Sequence, residues 1–291
     1  MEIIDAQIHS WASGGHAHWA PSYRPPSGVT DWPIESVLVA MEAVGVRAAV
    51  LDALPTATTI AADGSERYAN DYGEAAAQRY PGTLAATTRY DHRATDIADQ
   101  VASTRAVPGI VGIRLVIRTD DEAAALEAGE YEAYLDAVER HAIPLFVFAS
   151  MHLSVVDRIA RSHPGLQLIV DHLGMPQPPL RTLDTPPFRR LPLVLDLAKY
   201  PNVAVKFCGG PAYSAERYPF GDVWPQLRQI VDAYGAERLM WASDLTRLRG
   251  LFTYSELLTF ILYSPALTET EKEWILGRTV RRILGWPSVP D

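Results

Sequence analysis

A single cysteine, Cys208, stands in a chain of 291 residues, so no intramolecular disulfide can form. A disulfide scaffold is excluded, and the composition suits a reducing compartment. Long apolar runs are missing too: none approaches the roughly 20 residues that cross a bilayer. No basic stretch leads into an apolar segment at the N-terminus, so a signal peptide is not expected and a cytoplasmic protein is. Positive charge is in deficit, with 26 Lys and Arg against 35 Asp and Glu, a formal net charge of −9. This balance argues against nucleic acid and anionic membranes as partners, but leaves room for a local basic pocket that takes a small anion. Several catalytic signatures are also absent. There is no glycine-rich phosphate loop after the first apolar run, no Gly-x-Ser-x-Gly elbow, no Cys-x-x-Cys and no His-Glu-x-x-His. Dinucleotide sheets, elbow serine hydrolases and those two kinds of zinc site are therefore set aside.

What is present is enough for a large core: 48% of residues are hydrophobic and only 21% charged. Short runs rich in Val, Ile and Leu recur at Ile3–Ala6, Ala48–Ala53, Leu84–Thr88, Val111–Val116, Leu145–Ala149, Leu166–Val170, Val203–Phe207 and Leu239–Ala242. Between them, Ile34–Val44, Ser65–Tyr80, Thr95–Arg105, Tyr131–His141 and Asp222–Tyr234 carry apolar residues at three- and four-residue spacing and read as helices. Residues Glu269 to Trp286 read as one amphipathic helix. Continuous apolar strands alternating with helices indicate βα units in a parallel sheet covered on both faces. Eight such strands close an α/β (β/α)8 TIM barrel, with residues 1–291 as a single domain. Two irregular segments, His16 to Trp32 and Gly174 to Pro187, are expected to cover a pocket at the rim.

In such a barrel the polar residues that end the strands face the active site. The first run, "IIDAQIHSW", supplies Asp5, Gln7 and His9; the third is followed by Arg89, Asp91 and His92; the fourth carries Arg114 and Arg118. The fifth ends in Ser150 with His152 after it, and the sixth ends in "VDHLG", giving Asp171 and His172. The seventh contains Lys206 and Cys208, and the eighth ends in "WASD", giving Ser243 and Asp244. Any one of these could be a helix cap or a loop hydrogen bonder. Asp244 follows its strand with no intervening turn, and its carboxylate can deprotonate water or hold a metal. Lys206 interrupts an apolar run, so it binds an anion or pairs with a buried carboxylate. Cys208 reads as a small packing residue.

These motifs, in this order, resemble the amidohydrolase-related branch of the amidohydrolase superfamily. The pattern is most similar to its 2-pyrone-4,6-dicarboxylate lactonase and L-fuconolactonase type members. "IIDAQIHSW" is similar to an opening Ile-Asp-x-His-x-His-x-Trp, and "VDHLGMP" to Val-Asp-His-x-Gly-x-Pro. "GIRLV", "VKFCGG", "YPFGDVWP", "ERLMWASD" and "GRTVRRILGWP" follow in family order. The resemblance implies a distorted (β/α)8 barrel that opens lactones by hydrolysis. Metal-using members supply two histidines from the first strand, one from the fifth and the aspartate of the eighth. Here Gln7 replaces the first histidine, and the fifth run, "PLFVFAS", contains none.

The expectation is therefore a site that needs no cofactor. One divalent metal, zinc or manganese, held by His9 and Asp244, is kept as the alternative, with His152 as a further donor. Asp244 is expected to act as general base, with His9, His172 and Gln7 polarising the carbonyl. Arg114, Arg118, Arg89, Lys206, Arg217 and His152 are the candidates for gripping a small anionic substrate. A metal-dependent decarboxylase or C–C hydrolase is the second reading, and a non-catalytic ligand-binding barrel the third. Homodimers are common among such barrels, and a homodimer is kept as a candidate assembly.

Overall fold

The computed structural model describes residues 1–11, 32–53, 58–60, 66–68, 70–178 and 182–287. Ten strands run in chain order: β1 (Ile4–Ile8), β2 (Ala48–Leu51), β3 (Thr58–Ile60), β4 (Glu66–Tyr68), β5 (Leu84–Thr88), β6 (Ile110–Val116), β7 (Leu145–Phe148), β8 (Leu168–Val170), β9 (Val203–Cys208) and β10 (Leu239–Ala242). All except β3 and β4 belong to one parallel sheet of eight, in the order β1-β2-β5-β6-β7-β8-β9-β10. Helices alternate with these strands, which makes the domain a (β/α)8 barrel. The seam between β10 and β1 is bridged at its upper end. The Asp244 N–H donates to the Gln7 carbonyl at 3.0 Å, and the Ser243 N–H donates to the Asp5 carboxylate at 2.9 Å.

The strand repeat of two sorts the core into two layers. Ile4, Ala6, Ala48, Val50, Ala85, Phe146, Ile169, Ala204 and Met240 form the barrel interior, joined by Val280 and Leu284 of the helix Thr279–Leu284 and by Trp286 just after it. Their strand neighbours, among them Ala49, Leu84, Leu145, Leu168, Val203 and Leu239, pack against the surrounding helices. Small residues on β1, β2 and β5 leave space for Phe146. At Gly112 a Cβ would meet that ring at 2.5 Å, so the position tolerates only glycine.

Two expected helices differ. Residues 65–80 were expected to be helical throughout, but the helix is Asp71–Arg79 and Glu66–Tyr68 pairs with β3. Asn70 stops the helix from starting earlier: its side chain is tied to the Arg89 backbone, donating to the carbonyl at 2.9 Å and accepting from the N–H at 3.0 Å. The terminal helix is broken into Glu269–Glu273, a π-helical turn Trp274–Arg278, and Thr279–Leu284. Gly277 lies in that wider turn, where a Cβ would meet the Glu2 carbonyl at 2.5 Å. The helix thus yields where it presses on the start of β1.

The rim segment from His16 to Trp32 lies outside the described residues, apart from Trp32 itself. Trp11 and Trp32 exchange backbone hydrogen bonds of 3.0 and 3.2 Å. The second rim segment begins in a 3-10 turn, His172–Gly174, and residues 179–181 are not described.

Candidate active site

The inward register of the strands continues past their apolar layers and carries charge. Alternate positions after Val50, Ala85, Ile169 and Ala204 are Asp52, Thr87 and Arg89, Asp171, and Lys206 and Cys208. Lys206, Asp52 and Asp171 have fully buried side chains. The Lys206 ammonium lies 3.0 Å from Asp52 Oδ2, 3.0 Å from Asp171 Oδ1 and 2.9 Å from Gln7 Oε1, above the Phe146 ring. Arg114 donates to Asp171 Oδ2 from Nε at 3.2 Å and from Nη2 at 2.9 Å, and to the Ala53 carbonyl at 3.0 Å; its Nε lies 3.3 Å from Asp52. Two carboxylates and two cations thus cancel in the barrel centre, which makes their burial tolerable. For Asp52, burial alone would raise the pKa. Arg114 and Lys206 outweigh it and hold the carboxyl well below its ordinary range.

Above this layer sit His9, His172, Cys208 and Asp244, all buried. One ligand atom from each of His172, Cys208 and Asp244 falls within a 4.8 Å cluster. His172 Nε2 is 3.2 Å from Asp244 Oδ2, and His9 Nε2 is 3.8 Å from Asp244 Oδ1. Non-glycine left-handed backbone marks the place: φ is 52° at His172, 57° at Leu173 and 47° at Asp244. Such residues cost of order 1–3 kcal/mol each and persist where the surroundings impose them, often at functional sites. Burial opposes the ionised form of Asp244, yet the Arg247 guanidinium outweighs it and holds the pKa far below the usual carboxylate value. Burial pushes both imidazoles down, so they are neutral at neutral pH. It pushes the Cys208 thiol up.

The proton on His9 can be placed. Its Nδ1 lies 2.8 Å from the Asp52 carbonyl, which only accepts, so Nδ1 carries the hydrogen and Nε2 presents an electron pair toward Asp244. Asp244 Oδ1 and His172 Nδ1 are buried and have no hydrogen-bond partner among the described residues. Carboxylate, imidazole and sulfur within one small volume form a donor set that suits zinc. A bound cation would also satisfy the open carboxylate oxygen. The residues therefore fit a metal ion, with two of the expected ligands replaced.

The remaining candidates are distributed unevenly. Arg89 is buried with its guanidinium 4.0 Å from the Tyr68 ring centroid. Arg118 lies 5.8 Å from the Phe148 ring centroid, and that ring meets His172 edge-on at 5.5 Å. Burial, with Arg114 and Arg89 nearby, brings the Arg118 pKa down to about 10. His152 precedes the helix Leu153–Ser162 with Nδ1 3.9 Å from Asp120, and Arg217 is exposed. Three site residues escape a reading of strand ends. Asp52 is one, and the same rule that singles out Lys206, a charge inside an apolar run, would have found it. Arg247 pairs with Asp244, donates to Gln177 Oε1 at 2.5 Å and reaches the Pro178 carbonyl. Gln177 in turn donates to the carbonyls of His172 and Met175, both at 3.1 Å. Neither Arg247 nor Gln177 sits on a strand, and no sequence signal points to either.

Comparison with known proteins places this arrangement. A family model described as amidohydrolase matches residues 4–286. The L-fucono-1,5-lactonase of Burkholderia ambifaria is 26% identical over 253 residues, 86% of this chain and 82% of that protein. The 4-sulfomuconolactone hydrolase of Hydrogenophaga intermedia is 28% identical over 137 residues, 45% of this chain and 43% of that protein. Among solved structures, an amidohydrolase from Burkholderia multivorans with bound zinc superposes with a TM-score of 0.82 at 21% identity, covering 99% and 100% of the two chains. The expectation of a site without a cofactor is corrected by these findings. A protein of the same fold holds zinc, and here His172, Cys208 and Asp244 form a cluster of metal-binding type. The sequence reading counted histidines at family positions and treated Cys208 as packing. The inward register of β9 instead brings its sulfur to the cluster.

Proposed function

The chain belongs to the amidohydrolase family and is a hydrolase, and we propose that it opens the ring of a lactone, or a related cyclic ester, of a small carboxylic acid. The observation that carries this reading is Asp244, a buried and ionised carboxylate at the strand ends with Oδ1 open toward His9. The lactone-cleaving names of two relatives support the substrate class. Asp244 Oδ1 accepts the proton of the attacking water as general base. His9 Nε2, an electron-pair donor on the far side, orients the same water by accepting its second hydrogen. Arg247 holds the other carboxylate oxygen, so the base offers one oxygen only.

His172, Cys208 and Asp244, with His9 beside them, are the residues that would hold zinc, and Cys208 must first give up its proton. Bound there, zinc supplies a Lewis acid for carbonyl polarisation and lowers the pKa of water. Arg118, with Arg89 behind it, takes the substrate's acid group next to Phe148 and His172. Arg114 and Lys206 face into the barrel, where both lie against Asp52 and Asp171, and together they hold the Asp52 carboxyl well below its ordinary range.

The metal-binding donor set also favours a second reading, decarboxylation or C–C hydrolysis. One experiment separates the two. The purified chain, supplied with zinc or manganese or treated with chelator, is assayed against a panel of lactones and aromatic carboxylic acids. Proton release on ring opening, lost in Asp244→Asn, supports the lactonase. Carbon dioxide release without lactone turnover replaces it with the decarboxylase.

A further inference from the structure

We propose that Lys206, acting through Gln7, sets the proton on His172, keeping Nε2 unprotonated and the hydrogen on Nδ1. The inference deepens the proposed use of this site and rests on it for its chemical meaning. Lys206 has three N–H bonds and no acceptor capacity. It donates to Asp52 Oδ2 at 3.0 Å and to Gln7 Oε1 at 2.9 Å, and forms an ion pair with Asp171 Oδ1 at 3.0 Å. The oxygen of the Gln7 amide must therefore face Lys206, which settles the amide orientation by chemistry. The NH2 group is left facing His172 Nε2 at 2.8 Å. A donor there requires an acceptor opposite, so Nε2 is unprotonated and the hydrogen sits on Nδ1.

The backbone of Gln7 is held at both ends as well. Its N–H donates to Asp5 Oδ1 at 3.1 Å, and its carbonyl accepts from Asp244 at 3.0 Å. The amide therefore has little freedom to swing away. Asp244 Oδ2 lies 3.2 Å from the same Nε2, where two electron pairs would repel. Arg247 rests on that oxygen and supplies the positive charge that a histidine proton would otherwise bring. Gln7 is thus a positioning residue: it holds the place of a metal-binding histidine yet acts by orienting the ring beside it, as outer hydrogen bonds orient ligand histidines. His9 is set by the Asp52 carbonyl, so its Nε2 electron pair faces Asp244, while the His172 Nε2 pair accepts from the Gln7 amide.

The test is nitrogen-15 NMR of the imidazole rings in the full chain after chelator treatment, with His172 assigned by its loss in His172→Gln. The parent should carry its proton on Nδ1. Gln7→Glu replaces the donor by an acceptor of the same shape and should move the proton to Nε2. Lys206→Met frees the amide to turn and should give a detectable share of the Nε2-protonated form. A purely structural role for Gln7 would move neither signal. A parent spectrum with the proton on Nε2, or a folded Gln7→Glu protein that keeps it on Nδ1, overturns the proposal. These spectra do not depend on turnover, so loss of the lactonase reading leaves them standing on their own.

Discussion

Replacing Lys206 by Met tests the charge balance on which the whole site stands. The side chain is fully buried and neutralises, with Arg114, the two carboxylates Asp52 and Asp171. Methionine fills much of the volume, so the change is mainly one of charge. Removing one partner of a buried ion pair costs about 3–5 kcal/mol, because a carboxylate is left uncompensated. Against a total stability of roughly 5–15 kcal/mol this is severe. For a chain of this size it corresponds to a drop in Tm on the order of 10 °C. Urea and thermal unfolding followed by circular dichroism measure it. The loss should shrink as pH falls, since the unpaired carboxylate then takes up a proton in the folded state. Lys206→Met/Asp52→Asn, which removes one charge of each sign, should recover about 2 kcal/mol of the loss. A single variant that loses less than about 1 kcal/mol, or a double variant less stable than the single, would refute the reasoning.

Asp244→Asn should still fold, with lower stability from the lost Arg247 pair, and lower kcat about a hundredfold or more, the scale of general-base contributions, as measured by steady-state kinetics on the folded protein. Arg118→Ala should raise KM about tenfold for an acidic substrate and little for a neutral one, since charge-assisted hydrogen bonds contribute roughly 1.5–3 kcal/mol. Cys208→Ser should weaken zinc binding at least tenfold in a chelator competition titration, because a buried hydroxyl replaces a thiolate donor. Asp5 gives a pH signature. Burial raises its pKa from 3.8 to about 6, so its contribution is fully present below about pH 4 and is lost as pH rises through 6. The loss amounts to about 3 kcal/mol. The buried histidines act oppositely: their lowered pKa values give stability that is present above 6.5 and lost as pH falls. Urea midpoints of Asp5→Asn should therefore rise relative to the parent between pH 4 and 7, and parallel curves would assign Asp5 an ordinary pKa.

The barrel was legible because its information is local. Each apolar run of β-branched and leucine residues is a strand whose both faces are covered, and the eight runs expected from the sequence coincide with the eight barrel strands to within a few residues. His9, His172 and Asp244 could be picked out for the same reason, since a polar side chain ending an apolar run faces the mouth, and Lys206 because a charge inside an apolar run needs a buried partner. Arg247 could not be, because what brings it to Asp244 is a left-handed turn at Asp244 and a short helix, Leu245–Leu248, that no periodicity announces. The break at Trp274–Arg278 was hidden because an amphipathic pattern of seven residues fits an α-helix and a π-turn nearly alike. The pressure of Gly277 against Glu2 is a tertiary fact.

Metal binding was misjudged by asking which ligands were lost rather than what the remaining atoms need. Gln7 in place of histidine reads, by itself, as a missing ligand. In the fold it is the third acceptor for Lys206, and its amide faces the next histidine. The neutral charge cluster below and the electron-rich cluster above are therefore one structure. Lys206 donates to Asp52 and Gln7 and pairs with Asp171, so the Gln7 amide turns its NH2 to His172 Nε2. The Asp52 carbonyl takes the Nδ1 hydrogen of His9. What gathers around Asp244 is the Nε2 pair of His9, an unprotonated His172 Nε2 and the Cys208 sulfur, beside one arginine. Such a pocket attracts an electrophile, whether a metal ion or the proton of an attacking water, and the ion pairs beneath it are what keep it that way.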